Sequence, residues 1–561
     1  VASKSLFGTS SSALVDRPVD AINQAGGSAY AYGSEHALAQ FLFTSCFNGA
    51  YYESGAEQLA RFHELAACVT PEFLAKACIA ARRDGLLKDA PAAGWAKLAD
   101  MDIKLWDRIA DRVVDSGKMI LTAFQMVRSG AGTRKRCFSH AKQRVMSRLL
   151  NNASDDKLLS ASVGKNPSLR DVLRLVRPTP PNNARRALYG WLCGNPVEKW
   201  RPATYDDLPL EIRLLDRFRG TTDPDEQVQL ARQFAKTYIR WDLLVDAVKG
   251  EVYEGCGATR RLVRPSPVWA EIARNMGYQA LRMNLNTLNR HGVFRDPRMV
   301  DEVASRLADM NEVRRSKQMP YQFFAAYLNA SEEIPYCIRK ALNDAAEVAC
   351  EAVPKFPGPV VIGCDVSGSM LAPITGRRDK PGQSSKMRCI DVAALISAAI
   401  LRKNPDSVVV PFSDWVRPFS ADPGDQILSI STRLSRFGGG GTDCHLPVAH
   451  ANEKLKDRAF CGVILISDNQ SWVTPSVRMF HCVTALVHEW DKFVANQRRL
   501  GRFPRPKLIC CDLQMGGSSQ APETAETLNI GGFSDVVFEV MAAHLADDSQ
   551  RFVDMVKAVE I

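Results

Sequence analysis

Val360-Val361-Ile362-Gly363-Cys364-Asp365-Val366-Ser367-Gly368-Ser369-Met370 is the stretch on which the fold turns. Its β-branched start follows Pro359 and runs into a Gly/Ser turn, which reads as a buried strand with short polar side chains at its carboxyl end. Asp365, Ser367 and Ser369 alternate, so in extended backbone they share a face. One carboxylate and two hydroxyls at one point suit Mg²⁺ or another hard divalent cation. Two later segments add donors. Gly438–Asp443 reads Gly-Gly-Gly-Gly-Thr-Asp, and Gly462–Gln470 is an apolar strand sequence that ends at Asp468. Parallel sheets gather ligands at the carboxyl ends of their strands, so Thr442 and Asp468 are expected to join the first three residues there.

Outward from this stretch the pattern alternates. Strands are expected at 360–364, 408–412, 462–467 and 507–512, and helices near 387–402, 446–457 and 484–500, with closing segments near 534–545. That is a doubly wound α/β domain spanning 360–561. Residues 354–359, Pro-Lys-Phe-Pro-Gly-Pro, form a stiff linker before it. The Ser-rich residues 1–20 read as an arm. Residues 21–353 have helical periodicity almost throughout, cut by Thr70-Pro71, Asp84-Gly85, Asn166-Pro167 and Pro178–Pro181. Many short helices on short loops suggest stacked pairs of the HEAT type, without a crisp internal repeat.

Composition narrows the function classes. No apolar run is long enough to cross a bilayer, and the start lacks a charged-then-apolar leader, so a cytoplasmic protein without membrane contact is expected. The 15 cysteines contain no Cys-x-x-Cys pair and lie among apolar neighbours, which reads as reduced core thiols. From Gly358 onward 22 basic residues balance 22 acidic ones, so the whole net charge of +10 lies in the helical part. A one-sided surplus favours a polyanionic partner.

Two stretches concentrate it. Arg134–Leu150 reads as a helix carrying Arg134, Lys135, Arg136, His140, Lys142, Arg144 and Arg148, with Arg136, His140, Arg144 and Arg148 at four-residue spacing. Ser168–Arg177 sets Arg170, Arg174 and Arg177 opposite Leu169, Val172, Leu173 and Val176, with Ser168 as N-cap. Arg185 and Arg186 follow the proline cluster. One such helix is most simply a solvated basic face. Two in succession, rich in the residue that holds phosphates bidentately and stacks on unpaired bases, favour RNA over DNA. A later basic run, Arg498, Arg499, Arg502, Arg505 and Lys507, reads as a solvated loop first and an RNA-facing patch second.

The Asp-x-Ser-x-Ser, Gly-rich Thr-Asp and strand-end Asp segments together resemble the von Willebrand factor A domain and its metal-ion-dependent adhesion site. Phe41–Tyr52, Phe73–Gly85, Ser168–Pro180, Met276–Val293 and Met319–Tyr327 resemble the TROVE module of the Ro autoantigen family, its bacterial members included. The resemblance implies an all-α HEAT-like ring followed by the A domain, in a monomer. It implies a non-enzymatic binder of noncoding RNA, with structured Y-like RNA on the outer basic surface. Single-stranded 3′ ends of misfolded RNA would enter a central hole, with a partner 3′ exoribonuclease in RNA quality control. The family's Arg-Leu-x-His-x-Lys-Pro is here Arg174-Leu175-Val176-Arg177-Pro178-Thr179-Pro180. Arg177 replaces the histidine, so phosphate attraction survives and an imidazole-specific hydrogen bond does not. Asn48-Gly49-Ala50-Tyr51-Tyr52 stands for Gly-Gly-Thr-Tyr-Tyr, its tyrosines read as packing residues before base-stacking ones. The alternative is a metal-dependent protein-adhesion scaffold, in which the A domain grips a partner's carboxylate. An enzyme is not expected, because the Gly-rich loop lacks the Lys-Ser/Thr of a P-loop.

Overall fold

The computed structural model describes residues 17–130, 138–164, 167–235, 237, 239–256, 260–316, 318, 320–378, 386–474, 477–478, 482–514, 516–532, 536–547 and 552–561. The chain forms two compact units, one from the residues up to Gly94 together with Cys350–Ile561, the other Trp95–Ala349. The helical sequence ends at 354–359, but in space its first helices belong with the C-terminal part.

In the first unit, five parallel strands make the central sheet: β1 Val360–Asp365, β2 Val408–Phe412, β3 Gly462–Ser467, β4 Lys507–Asp512 and β5 Thr527–Gly531. Their order is β5-β4-β3-β1-β2. Every residue of β1, β3 and β4 is buried, as expected of strands covered on both faces. Helices Cys389–Lys403, Leu446–Lys454 and Ala485–Leu500 fall close to the expected spans. The sequence reading missed β5, whose Asn529 and Gly531 interrupt its apolar run, and the helix Ile427–Leu434. Ser34–Thr44 packs on β5 and, with Pro71–Arg83, on the last helix, Phe552–Lys557. A small antiparallel sheet pairs Ser28–Ala31 with Ala21–Ile22 and Ser518–Ser519.

Among its described residues the second unit is helical apart from the hairpin of Val252–Glu254 and Arg261–Arg264, a short departure from the all-helical expectation. Trp95 and Trp106 are fully buried and stacked at 4.6 Å, and the Trp95 indole donates to the Trp106 carbonyl at 3.0 Å. The helix Leu169–Val176 starts as expected. Ser168 Oγ accepts from the Asp171 amide at 3.2 Å, and Asp171 accepts from the Ser168 amide at 3.2 Å, closing a capping box. Leu169, Val172, Leu173 and Val176 are buried, which turns the arginines outward.

Candidate metal centre and nucleic-acid interface

Three adjacent strands of the sheet each deliver an aspartate to its carboxyl edge: Asp365 ends β1, Asp468 follows β3 and Asp512 ends β4. Each carboxylate accepts from the amide two residues on, from Ser367 at 2.8 Å, Gln470 at 3.2 Å and Gln514 at 3.2 Å. Such Asx turns hold one oxygen of each carboxylate and leave the second oxygen of Asp468 and Asp512 without a hydrogen bond. Asp365 Oδ2 accepts from Ser467 Oγ at 2.5 Å. Ser367 and Ser369 bring their hydroxyls to 3.2 Å from each other. The Gly-rich loop is tied on beside them by Gly439 N to the Val366 carbonyl (2.9 Å) and Gly368 N to the Gly440 carbonyl (3.0 Å). Only glycine fits at 440, with φ of 92° and a Cβ that would lie 2.5 Å from Asp414 Oδ1. The Thr442 carbonyl accepts from Trp472 N at 3.1 Å, which fixes that threonine against the segment after β3.

All five predicted ligands are buried, Asp365 and Ser367 completely. Burial raises the Asp365 carboxyl, and the neighbouring charge of Asp468 adds to it. Burial also raises Asp468 and Asp512, the latter again with a contribution from Asp468. Asp468 Oδ2 and Asp512 Oδ2 are buried without a hydrogen-bond partner. A buried carboxylate oxygen left unpaired is costly, and a divalent cation bound there would remove that cost at Asp468. Two carboxylates and the hydroxyls of Ser367 and Ser369, with Thr442 on the adjoining loop, are oxygen donors of the kind that suits Mg²⁺; among the described residues no group of three or more His, Cys, Asp and Glu forms a metal cage. The sequence reading missed Asp512. Its signal was there: Leu508–Asp512 ends in Cys-Asp after an apolar run, as Val360–Asp365 does.

Of the two tyrosines, Tyr51 is half exposed, and Tyr52 is half-buried, close enough to Ser369 of the metal loop for that residue to act on its hydroxyl.

The basic residues divide into free and engaged. Arg134, Lys135 and Arg136 lie outside the described residues. The helix there runs His140–Asn152, capped by Ser139. His140 and Arg144 are exposed. Lys142 is buried, with its ammonium 3.6 Å from Asp100, and so does not face solvent as expected. Its Cα lies two residues from His140, on the turn that packs inward. Arg148 pairs with Asp107 at 3.0 Å and with Asp111. Arg185 donates to the Ala153 carbonyl at 2.7 Å and lies 3.5 Å from Asp155. Arg186 is half-buried. By contrast, Arg170, Arg174 and Arg177 are exposed and form no ion pair among the described residues. Arg177 caps the helix in the left-handed region, φ 49°. Gln143 Nε2 donates to the Val176 carbonyl at 2.9 Å, which sets the helix bearing Arg144 beside the end of the arginine helix. Arg128, exposed on the neighbouring helix Gly117–Ser129, lies close enough to Asp171 to act on its carboxyl. A single arginine in a last helical turn gave no sequence signal for this role. In the other unit the run 498–507 is largely neutralised, with Arg499 near Asp457 (3.6 Å), Arg505 on Glu526 (3.0 Å) and Lys507 on Asp547.

Comparison with known proteins agrees with this architecture. Residues 261–356 match the TROVE domain and residues 360–545 the Ro60 vWA domain. The chain is similar to an RNA-binding protein RO60 of Deinococcus radiodurans, at 26% identity over 93% of this chain and 94% of that one. It is also similar to an RNA-binding protein RO60 of Caenorhabditis elegans, at 25% identity over 48% of this chain and 40% of the relative. The crystal structure of the Deinococcus radiodurans Ro (Rsr) protein superposes with a TM-score of 0.59 at 20% identity, covering 92% of this chain and all of that one. The fold and site thus define a two-domain protein, a TROVE domain leading into a vWA domain. The chain belongs to the Ro family.

Proposed function

We propose that this chain binds structured noncoding RNA, of the Y-like kind, on the face bearing Arg128, Arg144, Arg170, Arg174 and Arg177. The observation that carries this is a set of exposed arginines, of which Arg170, Arg174 and Arg177 form no ion pair among the described residues, beside an Asp171 committed to the cap of its own helix. Phosphates then supply the affinity, with weak sequence preference. The names of the relatives support RNA as the polyanion. Within this reading the protein also takes single-stranded 3′ ends of misfolded RNA and passes them to a 3′ exoribonuclease. The chain itself performs no chemistry, and it works as a cytoplasmic monomer. Asp365, Ser367, Ser369, Thr442 and Asp468 hold Mg²⁺ as a structural or adhesive centre. The test is binding of structured RNA by the Arg170→Glu, Arg174→Glu double variant, whose weakened, flatter salt dependence is expected. Unchanged binding would refute this surface.

A further inference from the structure

The loop between helices Ser34–Thr44 and Gly55–Ala67 lies in the same compact unit as the metal centre and is fastened to it at several points. Asn48 Nδ2 donates to the Thr375 carbonyl at 2.7 Å. Gly49 and Arg377 exchange two backbone hydrogen bonds, of 3.0 and 2.6 Å. Gln58 Nε2 holds the Asn48 carbonyl at 2.7 Å. Gln514, just beyond β4, accepts from Tyr51 N at 3.4 Å and donates to the Ser369 carbonyl at 3.3 Å, so one amide spans both loops. Two glycines permit the approach. A Cβ on Gly55 would lie 2.5 Å from the Phe47 carbonyl oxygen, and one on Gly376, at φ 76°, would lie 2.7 Å from the Asn48 Cβ. The residue after Tyr51 is Tyr52, whose hydroxyl lies close enough to Ser369, Asp468 and Asp365 for them to act on it.

We infer that Tyr52 is the internal occupant of the outward face of the cation site, so that this centre clasps the chain's own 48–53 loop instead of an acidic group from another protein. The inference rests on the reading of Asp365, Ser367, Ser369, Thr442 and Asp468 as a cation site. A cation held by few carboxylates stays electrophilic and draws an oxygen donor. The loop supplies a phenol there, on a segment held through the Tyr51 amide by Gln514 and through the Asn48 side chain by the Thr375 carbonyl. Cation binding and loop docking are then linked, each strengthening the other by the same factor.

The test uses the full chain. Mg²⁺ affinity is measured by calorimetry, and amide exchange of the 46–53 peptide is followed with and without Mg²⁺. In the wild type, saturating Mg²⁺ is expected to slow exchange of this loop about tenfold. Tyr52→Phe, which removes only the hydroxyl, and Gly376→Ala, which undocks the loop without touching a ligand, should still bind Mg²⁺, but more weakly and with little slowing. Mg²⁺ binding with no change in wild-type exchange overturns the clasp and leaves the cation site standing. So does full slowing in Tyr52→Phe, or capture of an Asp-containing peptide by the Mg²⁺-loaded wild type without release of the loop. A wild type that binds no Mg²⁺ overturns both.

Discussion

Reversing the charge of Arg170, Arg174 and Arg177 together probes the proposed RNA surface with a calculable signature. The three side chains are exposed and the helix keeps its core residues, Leu169, Val172, Leu173 and Val176, so folding stability should change little. Each phosphate contact contributes roughly −0.9 to the slope of log affinity against log salt on a duplex, and about −0.7 on a single strand. Losing three contacts on a duplex region should therefore flatten the slope by about 2.7. A fourfold rise in salt weakens each contact about 3.5-fold, so the wild-type advantage should be roughly 40-fold greater at 50 mM than at 200 mM salt. Filter binding or fluorescence anisotropy with a structured transcript reads both slopes. Arg148→Ala serves as control, because Arg148 is already paired with Asp107 and Asp111 and should barely move the slope. An unchanged slope in the triple variant would refute the assignment of this helix to phosphate contact.

Other expectations follow from the same structure. Ser168→Ala should lower stability by about 1 kcal/mol, seen as a reduced urea midpoint, because it opens the capping box that starts the arginine helix. Burial lowers the His544 imidazole from its usual 6.5 to about 4. The folded protein therefore binds fewer protons than the unfolded chain in that window. His544 contributes stability above about 6.5 that is lost as pH falls toward 4, by up to about 3 kcal/mol. In His544→Asn the difference in stability between pH 7 and pH 4.5 should shrink accordingly, as measured by denaturant titration. Gly440→Ala should cost about 1–3 kcal/mol and weaken Mg²⁺ binding, because its Cβ would meet Asp414 in a left-handed backbone. Calorimetric Mg²⁺ affinity equal to that of the wild type would remove this glycine from the site's construction.

The A domain was legible because buried parallel strands are written as continuous apolar runs, and β1, β3 and β4 carry such runs up to an aspartate. Strand β5 was not, since Thr527-Leu528-Asn529-Ile530-Gly531 alternates polar and apolar residues over only five positions and carries no continuous apolar run, although all five are buried. The capped arginine helix could be read from Ser168 to Arg177 because four-residue spacing separates its two faces. The same spacing misplaced Lys142 and hid the pairing of Arg148: periodicity says which residues share a stripe, but not which acids a neighbouring helix brings to meet them. Asp100, Asp107 and Asp111 are more than 30 residues away along the chain. Tyr52 was beyond reach for a similar reason. Its nearness to Ser369 is set by packing of the 48–53 loop on the A domain, which no local pattern records.

RNA recovered with the protein tests the central claim most directly. Purified from its own cells at modest ionic strength, the protein should carry structured noncoding RNA, and sequencing should return a small set of folded transcripts. Protein that emerges free of nucleic acid, and does not retard such transcripts when they are added back, would contradict RNA binding by this chain.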